Sequence, residues 1–216
     1  FDEAINLLKQ EMREPRTYFS ILAAIADGKT SLGEISSIAK IDPRSITKYI
    51  TLLEDLSIVK RVRPIGFKRP VRVCIEDNYF RFWFSYIYKL RSLLEARLID
   101  EALSYILDTF DRYISYVFED IVVEIVPLLF KEGLIQTRPI QVGKWWHKDT
   151  EIDVVVREPG VSTTFMEVRW SELNVRRAEN ILMKLIEKSK ESGLTSPMNY
   201  YILVCKNLLD SDTPLK

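Results

Sequence analysis

The stretches EIDVVV at positions 151–156 and TTFMEVRW at positions 163–170 decide the fold of the C-terminal half of the chain. Each is a short run rich in apolar and β-branched residues and predicts a buried strand. Asp153 follows Glu151 and interrupts the apolar run of the first stretch, and Glu167 interrupts that of the second. A carboxylate inside such a strand is unfavourable unless it is paired or binds a metal ion, so both acids are candidate site residues.

The sequence on either side of these strands predicts further elements in a definite order. The preceding helix has an apolar stripe made of Tyr113, Val117, Ile121 and Ile125. A strand-like segment follows at 134–146, Asn174 caps an amphipathic helix, and the apolar run at 200–204 predicts a last strand. Helix, three strands, helix, strand is the core of the PD-(D/E)XK phosphodiesterase fold, so we predict a nuclease-like α/β domain over residues 110–216.

The two acids define a candidate catalytic and metal site. Adjacent strands would bring Asp153 and Glu167 together to bind Mg²⁺, an ion that prefers oxygen ligands and binds substrate phosphate. When bound, the ion would polarise the phosphate and lower the pKa of an attacking water. Glu119 on the preceding helix is a candidate third ligand. Arg169 stands where the motif Glu-x-Lys has its lysine, and because arginine stays protonated, activity as a Mg²⁺-dependent deoxyribonuclease is left open.

Residues 14–75 predict a winged helix-turn-helix. Capping residues and helical spacing predict three short helices that begin near Pro15, Ser31 and Asp42. A basic hairpin follows between residues 58 and 75, with turn residues at its centre. Three helices followed by a hairpin is the order of a winged helix, in which the third helix enters the major groove and the wing lies along the backbone.

The net charge of zero hides an uneven distribution of charge along the chain. Residues 1–75 carry 13 basic and 9 acidic side chains, whereas residues 76–133 carry 6 basic and 11 acidic ones. Such a basic region is typical of a phosphate-binding surface, so we predict duplex DNA as the partner. The candidates for contacts to bases are Arg44, Ser45, Thr47 and Lys48. The candidates for contacts to phosphates are Lys60, Arg61, Arg63, Lys68 and Arg69. The alternative is a winged helix that binds another protein.

Residues 76–109 predict a helical connector rich in aromatic residues. Seven of the 24 aromatic residues of the chain lie within positions 79–88. They would point to all sides of a helix, which favours a buried connector packed between two domains. The alternative is a platform on which the bases of a single strand stack.

The composition excludes several other kinds of site. One His and the widely separated Cys74 and Cys205 leave no zinc ligand set, disulfide framework or His-based triad. Gly28-Lys29-Thr30 ends a predicted helix and lacks the earlier glycine of a phosphate-binding loop, so no ATP site is predicted in this chain. No run approaches the roughly 20 apolar residues that span a bilayer, so we expect a cytoplasmic protein without a membrane segment.

Several stretches resemble archaeal ATPases of the AAA+/STAND-like type that end in a winged helix and a C-terminal domain of unknown function. The stretches are EPRTY at 14–18, IEDNYFRFWF at 75–84, FE at 118–119, WW at 145–146 through EID at 151–153, and EVRW at 167–170. The resemblance implies that residues 1–13 end a preceding P-loop ATPase region, which is absent here and would be a partner of this chain. It also implies a PD-(D/E)XK-like C-terminal domain with Asp153 and Glu167 at metal-site positions, and with lysine where this chain has Arg169.

Two functional hypotheses follow. The first is the DNA-binding C-terminal part of such an ATPase, in which a winged helix docks duplex DNA and a Mg²⁺-dependent nuclease-like domain hydrolyses phosphodiester bonds. The second is a catalytically inactive module that binds DNA or protein and regulates the ATPase domain. The oligomeric state is left open.

Overall fold

The computed structural model of the protein describes residues 14–209 and divides into two compact units. The N-terminal unit contains the described residues through Val62 together with Pro70–Asp108. The C-terminal unit contains Arg63–Arg69 and the described residues from Thr109 onward. The predicted ATPase-derived segment at 1–13 lies outside the described residues, and the predicted division of the rest into three segments stays a prediction.

The N-terminal unit begins with three helices and a two-stranded hairpin. The helices are α1 (Pro15–Ala26), α2 (Leu32–Ala39) and α3 (Ile46–Asp55). The antiparallel strands are β1 (Val59–Val62) and β2 (Arg72–Ile75). The Ser31 side chain accepts the Glu34 backbone N–H and the Glu34 side chain accepts the Ser31 backbone N–H, which completes a capping box at the start of α2. This is the order of elements of a winged helix.

A turn precedes the regular part of the third helix. Asp42 and Pro43 lie in a turn, where the Asp42 Oδ1 atom accepts the backbone N–H of Arg44 at 2.7 Å. This is the bond that an N-cap side chain makes to the second residue after it, and the Ile46 N–H donates to the Asp42 carbonyl oxygen at 3.2 Å. Asp42 therefore caps the turn that leads into α3, as predicted, and the regular helix begins at Ile46, with Arg44 and Ser45 in that turn.

The aromatic segment packs into the core of the N-terminal unit. It comprises α4 (Asn78–Phe82), a π-helical segment (Trp83–Tyr88) and α5 (Arg91–Glu95). The rings of Trp83 and Phe84 lie 5.9 Å and 5.6 Å from the ring of Phe19 on α1, measured between centroids. Phe80, Trp83, Phe84 and Tyr86 are buried, whereas Tyr79 is 45% exposed. The predicted connector packed between two domains stays a prediction, and the π-helical turn is not apparent from the spacing of the aromatic residues.

The C-terminal unit is a sheet covered by a helix on each face. Its elements, with the part of the first helix that belongs to it, are α6 (Ile99–Lys131), β3 (Gln141–His147), β4 (Thr150–Glu158), β5 (Ser162–Asn174), α7 (Val175–Ser192) and β6 (Met198–Leu209). The strand order is β3-β4-β5-β6, with the first two pairs antiparallel and the last pair parallel. The C-terminal part of α6 packs on one face of this sheet through Val122 and Val126, and α7 packs on the other through Leu185.

The inward face of α6 differs by one position from the predicted stripe. Val122 and Val126 are 1% and 0% exposed, whereas Ile121 and Ile125 are 44% and 36% exposed. A stripe of residues spaced by four drifts around a helix that turns once every 3.6 residues or so, so the buried residues are offset by one position from Ile121 and Ile125. Strand β3 begins at Gln141, so residues 134–140 of the predicted strand-like segment at 134–146 lie outside it.

None of the helices within residues 14–209 combines the length and apolar character needed to cross a membrane.

Candidate functional site

Two buried carboxylates face each other near the middle of the C-terminal sheet. Val154 of β4 pairs with Met166 of β5 in antiparallel register, so Asp153 and Glu167 occupy the next opposed positions. They are 7% and 2% exposed. The Asp153 Oδ2 atom also accepts the backbone N–H of Val168 at 2.8 Å, which ties this carboxylate to the neighbouring strand.

Two cationic side chains contact this carboxylate pair. The Arg169 guanidinium hydrogen bonds to Glu167 Oε1 through Nη2, and its Nη1 lies 3.4 Å from Asp153 Oδ2. The same Nη1 donates to the carbonyl oxygen of Val168 at 2.9 Å. The Lys188 Nζ atom, which comes from α7, donates to both carboxylate oxygens of Glu167 at 3.0 Å. One guanidinium therefore bridges both carboxylates, and one ammonium binds Glu167 alone.

The surroundings of Asp153 raise the pKa of its carboxyl to about 7. Burial is the largest cause, and the charges of Glu167 and Glu119 act in the same direction. The Val168 N–H and the Arg169 guanidinium lower the pKa but do not compensate. Carboxyls whose pKa is strongly shifted by burial and neighbouring charges are concentrated at functional sites, so Asp153 is a candidate site residue.

Glu119, the predicted third ligand, lies in an ion-pair cluster of its own. The Lys144 Nζ atom on β3 lies 2.8 Å from Glu119 Oε2 and 3.4 Å from Asp120 Oδ1. Burial raises the pKa of Glu119, and Lys144 opposes that rise. Burial also lowers the pKa of Lys144, yet Glu119 and Asp120 raise it above its ordinary value overall. Glu119 thus acts on Asp153 through its charge, while its own carboxylate is bound by a lysine.

The donor set suits Mg²⁺ by type of ligand. No group of three or more His, Cys, Asp or Glu side chains that could hold a metal ion occurs within residues 14–209. Mg²⁺ is usually bound by only one or two carboxylates, with waters and substrate phosphate oxygens completing its coordination. The opposed carboxylates of Asp153 and Glu167 meet that requirement.

Sequence reasoning missed the two lysines of this region. Lys188 follows Ile181 and Leu185 at intervals of seven and three residues, which places it on the stripe of α7 that faces the sheet. A lysine at an inward position is a signal of a buried partner, so the sequence contained this information. Lys144 lies in a β3 segment with a bulge between Gly143 and Trp145, where strand alternation does not predict which way a side chain points.

The predicted base-contacting residues lie at the start of α3. Arg44, Thr47 and Lys48 are exposed, and Ser45 is half-buried. The buried side of the same helix consists of Ile46, Tyr49, Ile50 and Leu53. These polar residues lie at the N-terminal end of α3 and in the turn before it, apart from the buried side of the helix, and their contact with DNA bases stays a prediction.

The predicted phosphate-contacting residues do not form one set. The Arg61 guanidinium is ion-paired with Glu54 of α3 and donates to Thr51 Oγ1 at 3.3 Å, so it contacts the protein itself. Lys60 is half-buried on β1. The loop Arg63–Arg69 groups with the C-terminal unit, and the side chains of Arg63, Lys68 and Arg69 in it are exposed. In that loop the backbone N–H of Ile65 donates to the carbonyl oxygen of Lys144 at 2.8 Å.

Fold and site define the class of the described chain: a winged helix and a mixed α+β unit that holds a buried carboxylate pair. Residues 83–181 match the model of DUF234, a family described as "Archaea bacterial proteins of unknown function". The chain is also 32% identical over 206 residues to an uncharacterized protein of Methanocaldococcus jannaschii. The match covers 94% of this chain and 46% of that relative, so the chain spans about half the length of the curated relative.

Solved structures of bacterial regulators resemble part of the chain. A MarR family transcriptional regulator from Silicibacter pomeroyi matches 51% of this chain and 84% of its own, with 19% identity and a TM-score of 0.33. Lactococcus lactis ZitR, solved in complex with DNA, matches 48% of this chain and 80% of its own, with 18% identity and a TM-score of 0.31. The assignment of the winged helix rests on the chain's own elements and their order.

Proposed function

We propose that this chain binds duplex DNA through its winged helix and hydrolyses phosphodiester bonds at the carboxylate pair of the C-terminal unit, with Mg²⁺ as the cofactor. The observation that carries the proposal is the opposed position of Asp153 and Glu167 on β4 and β5, both buried and both in contact with Arg169. The predicted order of helix, three strands, helix and strand supports a relationship to PD-(D/E)XK nucleases.

The proposed reaction is a hydrolysis. A water oxygen forms a bond to phosphorus while the bond between phosphorus and one sugar oxygen breaks, and a proton passes from the water to solvent as the leaving oxygen gains one. A Mg²⁺ ion held by Asp153 and Glu167 would supply charge stabilisation at the phosphate and a more acidic water. Arg169 would place a fixed positive charge beside the phosphate, because a guanidinium remains charged throughout.

The exposed side of α3 supports the DNA-binding part of the proposal. Arg44 and Lys48 add positive charge beside the hydroxyl of Thr47, and none of the three contributes to the buried core. In a winged helix the N-terminal residues of the third helix lie nearest the base edges. A duplex is therefore the proposed substrate class, and the cytoplasm is the proposed location.

The cleavage test uses plasmid and duplex oligonucleotides with Mg²⁺ and, separately, Mn²⁺. Wild type should cleave, and Asp153→Asn and Glu167→Gln should each abolish cleavage while the fold is retained by circular dichroism. Asp149→Asn is a matched control, because Asp149 is an exposed acid in the turn before β4. Failure of the wild type to cleave with either ion would refute the nuclease proposal.

A second candidate function is a non-catalytic module that binds DNA and regulates a larger ATPase. It is favoured by one observation: Arg169 and Lys188 already neutralise the carboxylates, as in a purely structural ion-pair network. The proposed ATPase partner rests on the resemblance of residues 75–84 and the other quoted stretches. Three results together would favour this candidate. The chain would bind duplex DNA in a salt-dependent way and would not cleave it, and Lys48→Ala would alter the ATPase activity of the longer protein.

A further inference from the structure

Lys188 differs from the other lysines of α7. Lys184 and Lys190 on the same helix are exposed, whereas the side chain of Lys188 is 28% exposed and lies on the helix face that packs on the sheet. A lysine in such a place loses hydration and rotamer freedom unless a specific partner compensates. Its partner is Glu167, whose side chain is only 3% exposed.

The geometry of the contact is that of a positioning group. An ammonium carries three hydrogens, and the two carboxylate oxygens of Glu167 accept two of them at 3.0 Å each. This symmetrical contact fixes the rotation of the Glu167 carboxylate, which a single bond would leave free. The third hydrogen is available to an oxygen outside the pair, such as that of a phosphate or a water.

Arg169 cannot reproduce this contact. Its Nη1 contacts both the carbonyl oxygen of Val168 and Asp153 Oδ2, and its Nη2 donates to Glu167 Oε1. The guanidinium is thus spread over three protein groups and holds only one oxygen of Glu167. A lysine carries a compact point charge on a flexible stem, so one lysine on β5 could not make all of these contacts. Arg169 and Lys188 share them: Arg169 contacts Asp153 and one oxygen of Glu167, and Lys188 contacts both oxygens of Glu167.

We propose that Lys188 supplies to this site the amine that the Glu-x-Lys motif takes from its own strand, as a positioning residue that orients Glu167 and donates one hydrogen bond to the substrate phosphate or the attacking water. The inference rests on the proposed function, because the phosphodiester substrate is the one named there. In this chain the amine at the Glu167 carboxylate comes from α7, and β5 supplies the Arg169 guanidinium.

The first test is kinetic and uses Lys188→Met, which retains the length of the side chain without its charge. Its kcat for duplex cleavage should fall about 100-fold or more, while KM for DNA stays within about threefold of wild type. Lys184→Met, one turn earlier on the exposed side, should cleave like wild type. The double variant Lys188→Met/Arg169→Lys should recover at least about tenfold of the lost kcat, because it returns a lysine to the strand position.

A merely structural role of Lys188 predicts a different kinetic result. Loss of packing would not be repaired by a substitution on β5, so absence of rescue by Arg169→Lys would overturn the proposal. Cleavage by Lys188→Met equal to that of Lys184→Met would overturn it as well.

The second test needs neither metal nor activity. Thermal unfolding of wild type, Lys188→Met, Glu167→Gln and the double variant in EDTA forms a double-mutant cycle. We expect non-additive shifts of Tm, with the double variant less destabilised than the sum of the single ones, because the second change removes a contact that the first has already broken. Additive shifts would overturn the positioning role. Coupling in this cycle without any cleavage by wild type would show that the Lys188–Glu167 contact is structural only. The proposed function would then fail, and the catalytic role of Lys188 would fail with the proposed function.

Discussion

Replacing Asp153 by asparagine should stabilise the C-terminal unit above neutral pH. The folded protein raises the pKa of Asp153 from 3.8 to about 7, chiefly through burial and then through Glu167 and Glu119. Between these two values the unfolded chain has released a proton that the folded chain still holds. Unfolding therefore releases protons, and the free energy of unfolding falls as pH rises through this window and levels off above it. Asparagine carries no titrating group, so the variant lacks this fall.

The size of the effect follows from the two pKa values. A difference of this size is worth roughly 4 kcal/mol, taken as an upper value because Arg169 and water relax around the charge. The asparagine side chain of the variant would keep an oxygen to accept the Val168 N–H, so that bond of the wild type survives. The advantage of Asp153→Asn over wild type should thus be small near pH 4 and grow to a few kcal/mol by about pH 8.

The assay is urea unfolding at intervals from about pH 4 to about pH 8.5, followed by tryptophan fluorescence, with Trp145 and Trp146 as buried reporters in the same unit. Asp149→Asn serves as the control, since its side chain lies in an exposed turn. Parallel curves for Asp153→Asn and wild type across this range, or a variant less stable than wild type at the alkaline end, would refute the reasoning.

Three further predictions concern the winged helix. Ile50→Ala should lower the free energy of unfolding, measured in urea, by about 2–5 kcal/mol, because Ile50 is 0% exposed. The control Ile38→Ala, at a position that is 58% exposed, should change it by less than about 0.5 kcal/mol. Equal effects of the two substitutions would contradict the assignment of Ile50 to the core. Ser31→Ala should cost about 1 kcal/mol in the same assay through loss of the capping box, and no loss would count against it. Lys48→Ala should weaken duplex binding and reduce the slope of log K against log salt by about 1, with Lys184→Ala as control; an unchanged slope would remove Lys48 from the interface.

The elements of the C-terminal unit were predictable because its strands carry strong local patterns. The runs around Asp153 and Glu167 are apolar on both sides, and a strand buried on both faces has that pattern in any context. Asn174 is a good helix cap at a clear change of periodicity, and its side chain does accept the Arg177 N–H at 2.9 Å. That Asp153 lies opposite Glu167 could not be predicted from these local patterns alone, because it depends on the register in which β4 and β5 pair.

The parts that could not be predicted depend on tertiary contacts. The pairing of Arg61 with Glu54 depends on how β1 lies against α3, so a basic cluster in sequence became partly an internal ion pair. The grouping of Arg63–Arg69 with the C-terminal unit likewise reflects a backbone bond from Ile65 to Lys144, far away in sequence. Lys188 was within reach of prediction, since its spacing from Leu185 places it inward, although most lysines of a helix this polar point to solvent.

We propose that Asp153 and Glu167 together hold one divalent cation. Titration of the protein with Mn²⁺, with free ion measured by electron paramagnetic resonance, tests it directly. We predict one bound Mn²⁺ per wild-type chain, loss of that site in both Asp153→Asn and Glu167→Gln, and retention in Asp149→Asn. Absence of a bound ion in wild type, or a site that survives either substitution at the carboxylate pair, would contradict the claim.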